Sequence, residues 1–224
     1  MSKIKFTKEE LDKIKQAVSK AESKTSGEIA TAIIKESYDY AIYELTFAVI
    51  CGFIYFFIMM FFAGSIESII RNMFWEYSNN YLLIFYGFST FLVISIFYFL
   101  ANLSFIDRLI IPKKVMQQKV NERAVRYFME SGVYDTKDRT GILIFISFLE
   151  RRVELLADKG ISEKIPKEKW NSIVAHIIKG VKEDTLVKNL SDSITECGEL
   201  LSAHFPIEPD DKNELKDDIE ILEK

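Results

Sequence analysis

Two long stretches of uninterrupted apolar residues dominate the pattern of this chain. Residues 45–63 and residues 81–103 contain no charged side chain. The first stretch is rich in Phe, Ile and Met, and the second in Phe, Leu and Ile. Each stretch exceeds the ~18 apolar residues that are typical of a membrane-spanning helix. The connection between them is more polar and contains a short amphipathic pattern at residues 66–74. We therefore predict a two-helix transmembrane hairpin within residues 41–107.

The charges beside the hairpin predict its orientation. The connection between the two spans has Arg71 as its basic residue, whereas both outer flanks are richer in Lys and Arg. The basic residues of the flanks are Lys24, Lys35, Arg108, Lys113, Lys114 and Lys119. Positively charged flanks favour the cytoplasmic side. We expect a multi-pass protein of the cytoplasmic (inner) membrane with both termini in the cytoplasm and the lipid bilayer as a partner.

The residues before the hairpin have the pattern of a helix followed by a strand. Thr7 and Glu10 have the spacing of a capping box, and apolar residues then recur at helical intervals as far as Lys24. From Glu28 to Lys35 the sequence predicts a strand, because its inner residues (IATAII) are β-branched on both faces, which is typical of a central strand. We predict that residues 1–40 form the first part of a soluble α/β domain.

The residues after the hairpin continue the same alternation. The predicted elements are a helix from Pro112 to Gly132, strands at residues 141–148 and 153–157, a helix after Pro166 and a last helix at residues 185–203. A tight turn at residues 150–152 predicts that the second of these strands returns antiparallel to the first. A helix and one strand cannot bury a sheet by themselves. We therefore predict that residues 1–40 and 108–205 form one domain, in which the first strand joins the sheet of the later strands.

Composition narrows the possible classes of protein. The chain has 224 residues and two cysteines, which are too few for a disulfide framework. Its formal net charge of −4 argues against nucleic-acid binding. Its first 25 residues lack an apolar core, so we expect no cleavable signal peptide. Residues 206–224 contain eight acidic residues and three lysines, which predicts a mobile acidic tail.

Several motifs, in the same order along the chain, resemble the TPM domain family, which is named for thylakoid lumen, photosystem II repair and related membrane proteins. The first is Ala21–Ile29 (AESKTSGEI), which looks like the start of that domain. The later motifs are Arg139–Ile144 (RTGILI), Glu150–Glu154 (ERRVE), Ala157–Ile161 (ADKGI), Trp170 and the closing His204-Phe205-Pro206. The resemblance implies an α/β/α sandwich with a small mixed sheet, here interrupted by the transmembrane hairpin. It also implies one of three activities: acid phosphatase, binding of a divalent metal through acidic loops, or assembly and repair of complexes.

Acidic residues at predicted strand ends are the candidate metal ligands. Asp158 follows a strand and Glu28 begins one, and Asp135 or Asp138 could add oxygen ligands for Ca or Mg. The alternative is that Asp158 lies in an ordinary turn and that Glu28 is a solvated strand start. Arg139 and Arg152, together with Arg151, could bind phosphate, or they could form surface ion pairs.

The sequence leaves three functions open. We predict a membrane-anchored TPM-like domain that acts as a non-catalytic interaction module, with membrane proteins as partners, in the assembly or maintenance of membrane complexes. The alternative is a metal-dependent acid phosphatase, although the chain has no Cys-x5-Arg loop. A third alternative is an auxiliary transport subunit, against which the scarcity of ionisable groups in the spans argues.

Overall fold

The computed structural model describes residues 6–207 and 211–223, which belong to two compact units. The sheet unit contains the described residues up to 38 and from 114 onward, and the hairpin unit contains residues 39–113. In chain order the elements are α1 (Lys8–Glu22), β1 (Glu28–Ile34), α2 (Ala41–Phe61), α3 (Ala63–Met73), α4 (Asn79–Ala101), α5 (Ser104–Ile110), α6 (Lys113–Glu130), β2 (Gly141–Ser147), β3 (Arg152–Ala157), α7 (Lys159–Ser162), α8 (Asn171–Lys182), α9 (Leu186–His204) and β4 (Glu220–Leu222).

A four-stranded sheet joins the residues on either side of the hairpin. The strand order is β3-β2-β1-β4. β1 pairs in parallel with β2, with Glu28 opposite Gly141 and Ile34 opposite Ser147. β3 returns antiparallel to β2, and β4 pairs in parallel with β1. The expectation that the first strand and the later strands share one sheet is confirmed.

Helices cover both faces of this sheet. On one face Ile33 and Ile144 pack against α1, α8 and α9. On the other face Ala32 and Phe145 pack against α6, where Tyr127 contributes to the same cluster. β1 and β2 are buried on both sides, which explains why they are apolar at successive positions. The predicted α/β/α sandwich with a small mixed sheet is confirmed.

The helix α1 begins and packs as its sequence predicts. The backbone N–H of Glu10 donates to the Thr7 hydroxyl at 3.3 Å, and the N–H of Thr7 donates to the Glu10 carboxylate at 2.8 Å. This capping box satisfies two backbone donors at the helix start. At its other end α1 lies close to α9, because a Cβ added at Gly198 would be 2.6 Å from the Cβ of Ala21. A side chain at residue 198 would force the two helices apart.

The acidic C-terminal residues contain a strand that the sequence pattern does not predict. Pro206 forms a β-bridge with Thr25, and residues 220–222 then add the fourth strand beside β1. The segment is mostly acidic, and three apolar residues around Glu220 are too few to indicate a strand. Ile219 is 8% exposed and belongs to the core beneath α1 and α9.

The hairpin unit contains the two predicted apolar helices. α2 and α4 are both long and apolar enough to cross a membrane by length and composition. They begin and end two to four residues earlier than the predicted spans, and they pack antiparallel. Phe47 lies edge-to-face on Phe97 with 6.1 Å between ring centroids. A Cβ at Gly52 would be 2.3 Å from Cγ1 of Ile94, so this glycine permits the close approach of the two helices.

The outer surfaces of α2 and α4 remain apolar and exposed. The large side chains exposed on them include Ile50, Phe53, Phe57, Leu83, Phe88, Phe91 and Phe99. Between the two helices, α3 is amphipathic, as predicted for this segment. Its Arg71 forms an ion pair with Glu67 at 2.7 Å and lies over the ring of Tyr77 at 3.9 Å. Apolar surface of this extent is typical of a segment that contacts lipid or other apolar helices.

We predict that Ile144→Ala lowers the free energy of unfolding of the sheet unit by about 2–5 kcal/mol. Ile144 is fully buried between Thr31 and Leu155 in the centre of the sheet, so truncation leaves a cavity. The measurement is chemical denaturation of the detergent-solubilised protein, followed by the fluorescence of buried Trp170 in a Trp75→Phe background. Ile207→Ala, at a residue that is 51% exposed, is the control. Equal losses for the two variants would contradict the assigned core.

Candidate functional site

The predicted acidic site residues lie at one end of the sheet. The backbone N–H of Asp158 donates to the carbonyl of Gly141 at 2.9 Å, and Gly141 is the pairing partner of Glu28. Asp138 and Arg139 lie in the loop that leads into β2 at the same end. These residues therefore share one edge. We call it the amino edge, because β1 and β2 both begin there.

The position of this edge corrects the argument that selected Asp158. Open α/β sheets place ligands beyond the carboxyl ends of their parallel strands. Asp158 follows β3, but β3 runs antiparallel to β2, so Asp158 lies at the amino ends of the parallel strands. The sequence predicts that this strand returns antiparallel, and the structure confirms it. The choice of Asp158 as a ligand did not take that direction into account.

Glu28 is held by the C-terminal segment. Its side chain is nearly buried, and its two carboxylate oxygens accept hydrogen bonds from the backbone N–H groups of Glu214 (3.1 Å) and Leu215 (3.3 Å). Burial raises the pKa of Glu28, and the two hydrogen bonds oppose that shift. This carboxylate therefore acts as an acceptor for backbone donors that are more than 180 residues away in sequence.

Asp158 caps the short turn of helix α7 instead of standing free at a strand end. Its carboxylate accepts from the N–H of Lys159 at 2.6 Å and lies 3.7 Å from the guanidinium of Arg139. Arg139 has a φ of 57°, in the left-handed region. A Cβ at Gly160 would be 2.7 Å from the carbonyl oxygen of Arg139. A glycine at residue 160 is therefore required for the close contact of these two loops.

The remaining candidates are not brought together. Asp135 and Asp138 are exposed in the loop before β2. Arg152 is opposite Ser147 at the far end of the sheet from Arg139, so the two arginines do not form one phosphate site. Across residues 6–207 and 211–223 there is no group of three or more His, Cys, Asp or Glu side chains placed to hold a metal ion. The metal site of Glu28, Asp158 and Asp138 stays a prediction.

Glu22 was missed by the sequence reasoning and is the most perturbed carboxyl of the amino edge. One of its oxygens accepts from the N–H of Ile29 at 2.7 Å, and the other has no hydrogen-bond partner among the described residues. Burial, followed by the negative charges of Glu28, Asp217 and Asp211, raises the pKa of Glu22 to about 8. Its place at the end of α1 gave no sign of burial, because the surrounding sequence is polar.

The carboxyl edge of β1 and β2 has a second buried polar group. The backbone N–H of Ser37 donates to the Glu150 carboxylate at 2.9 Å, and the Ser37 hydroxyl donates to the Ser147 hydroxyl at 2.9 Å. Ser147 in turn donates to Glu150. Ser147 and Glu150 are both buried, so this network joins the ends of the two strands and satisfies polar groups in the domain interior.

We predict that Glu22→Gln removes much of the pH dependence of stability between the unfolded and folded pKa values of Glu22, 4.5 and about 8. The pKa of Glu22 is about 8 in the folded protein against a reference of 4.5, so the folded state holds a proton that the unfolded state has released. The free energy of unfolding therefore falls as the pH rises between these values. At pH 9 the variant should be more stable than the native chain by an amount on the order of 2 kcal/mol, and at pH 4 nearly equal to it.

Chemical denaturation of both proteins at pH 4, 7 and 9 measures this difference. Glu9→Gln, which changes an exposed carboxyl on the same helix, is the matched control and should parallel the native chain. The same slope for Glu22→Gln and the native chain would show that folding does not raise the pKa of Glu22.

Comparison with known proteins agrees with this fold. The chain is similar to the BA42 protein of the psychrophilic bacterium Bizionia argentinensis, whose NMR structure aligns with a TM-score of 0.57 over 99% of this chain and 100% of that one. The two sequences are 20% identical, so the similarity shows the fold alone. No match was found among curated proteins.

The family model of the TPM domain matches residues 107–199. This range contains β2, β3 and α8, and it does not contain α1 or β1, which the structure adds to the same sandwich. The TPM domain that the motifs predict is therefore found in residues 107–199.

Proposed function

We propose that this protein is a membrane-anchored interaction module that serves the assembly or maintenance of membrane complexes. The observation that carries the proposal is the place of the hairpin within the TPM domain. It enters the chain between β1 and β2, two strands that are direct neighbours in the sheet. An anchor inserted at this point ties the domain to the bilayer through two separate connections instead of one.

The exposed faces of α2 and α4 supply the contact surface for partner helices. These faces are lined by Phe, Ile and Leu side chains and contain few polar groups. Within α4, a Cβ added at Gly87 would meet no atom within 4 Å, so this residue leaves a gap in the outer surface of the hairpin. Close approach at small residues is a common mode of helix association in membranes.

The pairing of β1 with β2 supports a topology in which both soluble parts are on one side of the membrane. Two spans return the chain to the side from which it entered, and the basic flanks favour the cytoplasm. We predict that a membrane-impermeant maleimide added to intact cells labels Ser78→Cys, between the spans, and leaves Ala203→Cys unlabelled. Both variants are made in a chain whose native cysteines are replaced, as Cys51→Ser and Cys197→Ala.

Permeabilised cells are the control for this labelling, because Ala203 is exposed and should then react. Labelling of Ala203→Cys in intact cells, or protection of Ser78→Cys there, would contradict the proposed orientation.

We predict that Gly87→Ile weakens the association of the protein with its membrane complex at least tenfold and leaves the sheet unit folded. The new side chain fills the gap at Gly87 and would block a partner helix. The complex is isolated by mild cross-linking in membranes, purification through a tag and identification of the stoichiometric partner. Gly64→Ile is the matched control, since a Cβ at Gly64 also meets no atom within 4 Å but lies in α3.

Equal recovery of the partner with both glycine variants would remove α4 as the contact surface. A phosphate-ester hydrolase activity of the purified protein that is abolished in Asp158→Ala would contradict a non-catalytic role and favour the phosphatase alternative.

A further inference from the structure

The C-terminal segment, residues 211–223, binds the free edge of β1 through a small number of contacts. Three of its residues pair with Ala32, Ile33 and Ile34. Beyond these, Glu28 accepts from two backbone N–H groups of the segment, as described above. A three-residue strand is at the short end of the range for strands in folded proteins. The Tyr127 hydroxyl also donates to the Glu220 carboxylate of the segment. The main-chain pairing of the segment with the sheet is therefore short.

Apolar side chains fix the segment in register. Ile219 is buried in the core on the α1 and α9 side. Leu215 and Leu222 are partly buried against the opposite cluster, which includes Tyr127 on α6. These three positions divide between the two faces of the sheet, and the edge of β1 lies between them. A ligand for this edge thus needs an extended backbone with apolar residues at these spacings.

Charges both attract and repel the segment. The Glu214 carboxylate accepts from the backbone N–H of Lys137 at 3.0 Å, and Asp218 pairs with Lys15 at 3.0 Å. Both side chains of the second pair are about half exposed, so its net contribution is small. Against this, burial and the negative charges of Glu214 and Asp211 raise the pKa of Glu28. Like charges at the amino edge weaken the binding of the segment.

We propose that the edge of β1 is a strand-binding site, in which an extended segment of a partner protein takes the place of residues 211–223 by parallel β-augmentation. The partner segment has an acidic residue at the position of Glu214, whose carboxylate accepts a hydrogen bond from the N–H of Lys137. It has apolar residues at the positions of Leu215, Ile219 and Leu222. Main-chain pairing with Ala32–Ile34 supplies the rest of the recognition. The inference rests on the proposed function, for which it names the class of partner segment.

The first test measures exchange in trans with the full-length protein in detergent. The probe is a fluorescent peptide of residues 211–223, and its binding is followed by anisotropy. Ile219→Asp in the chain weakens the resident segment and leaves the β1 edge intact, so this variant should bind the probe at least tenfold more tightly than the native chain. Lys216→Ala, at an exposed position of the same segment, should bind like the native chain. A peptide probe with the Ile219→Asp substitution should bind neither the native chain nor either variant.

A second variant keeps the test valid if Ile219→Asp impairs folding. Ala32→Cys with Glu220→Cys joins two directly paired residues, whose strand spacing suits a disulfide. Cys51→Ser and Cys197→Ala remove the native thiols. The oxidised protein should bind the probe at least tenfold more weakly than the same protein after reduction, while circular dichroism is unchanged. Equal binding before and after reduction would overturn the proposal, as would equal binding by all chain variants or by a scrambled probe.

Isolation of the membrane complex distinguishes failure of the strand-binding site from failure of the membrane-anchored assembly role. Loss of the partner from the oxidised, tethered protein and its recovery on reduction support the strand-binding site. A partner retained equally by both forms overturns the inference and leaves the membrane module standing. If the probe exchanges but no complex is recovered, the strand-binding site is supported and the assembly role fails. A dimer that the probe dissociates identifies a second copy as the occupant and overturns the assignment to a partner protein.

Discussion

The parallel pairing of β1 with β2 is the constraint on which the rest of the molecule depends. Glu28 and Gly141 are paired residues, yet the whole hairpin unit lies between them in sequence. The entropic cost of closing a loop rises only slowly with its length. The paired helices α2 and α4 shorten the effective loop further, because a helical hairpin brings its own ends together. A sheet can therefore form across an insertion that is twice the length of the segment before it.

Much of the architecture could be predicted from local pattern. The capping box at Thr7 and Glu10, the apolar stretches of α2 and α4 and the doubly buried sequence of β2 are each consistent over many neighbouring residues. Such signals are local, so they need no knowledge of the fold. β4 did not give such a signal, since Glu220–Leu222 gains its stability from β1 and from the core beneath Ile219.

The candidate site was less predictable because it depends on strand direction and burial. Asp158 was correctly located at the end of a strand, but the antiparallel course of β3 moves it to the amino edge. Glu28 was expected to be solvated or metal-bound, and it instead accepts two backbone hydrogen bonds from the C-terminal segment. Glu22 is half-buried, and the charges of Asp211 and Asp217 near it come from the other end of the chain. For Glu22 and Glu28, neighbours far along the chain decide the environment, and sequence periodicity has no information about them.

The insertion between two neighbouring strands also orders the biogenesis of the protein. While the ribosome synthesises residues 35–140, β1 has neither of its eventual neighbours, and its apolar faces must be shielded by α1 or by a chaperone. In the proposed topology, failure of either α2 or α4 to integrate would leave β1 and β2 in different compartments. In that topology, correct integration is a precondition for a complete, protease-resistant sheet unit.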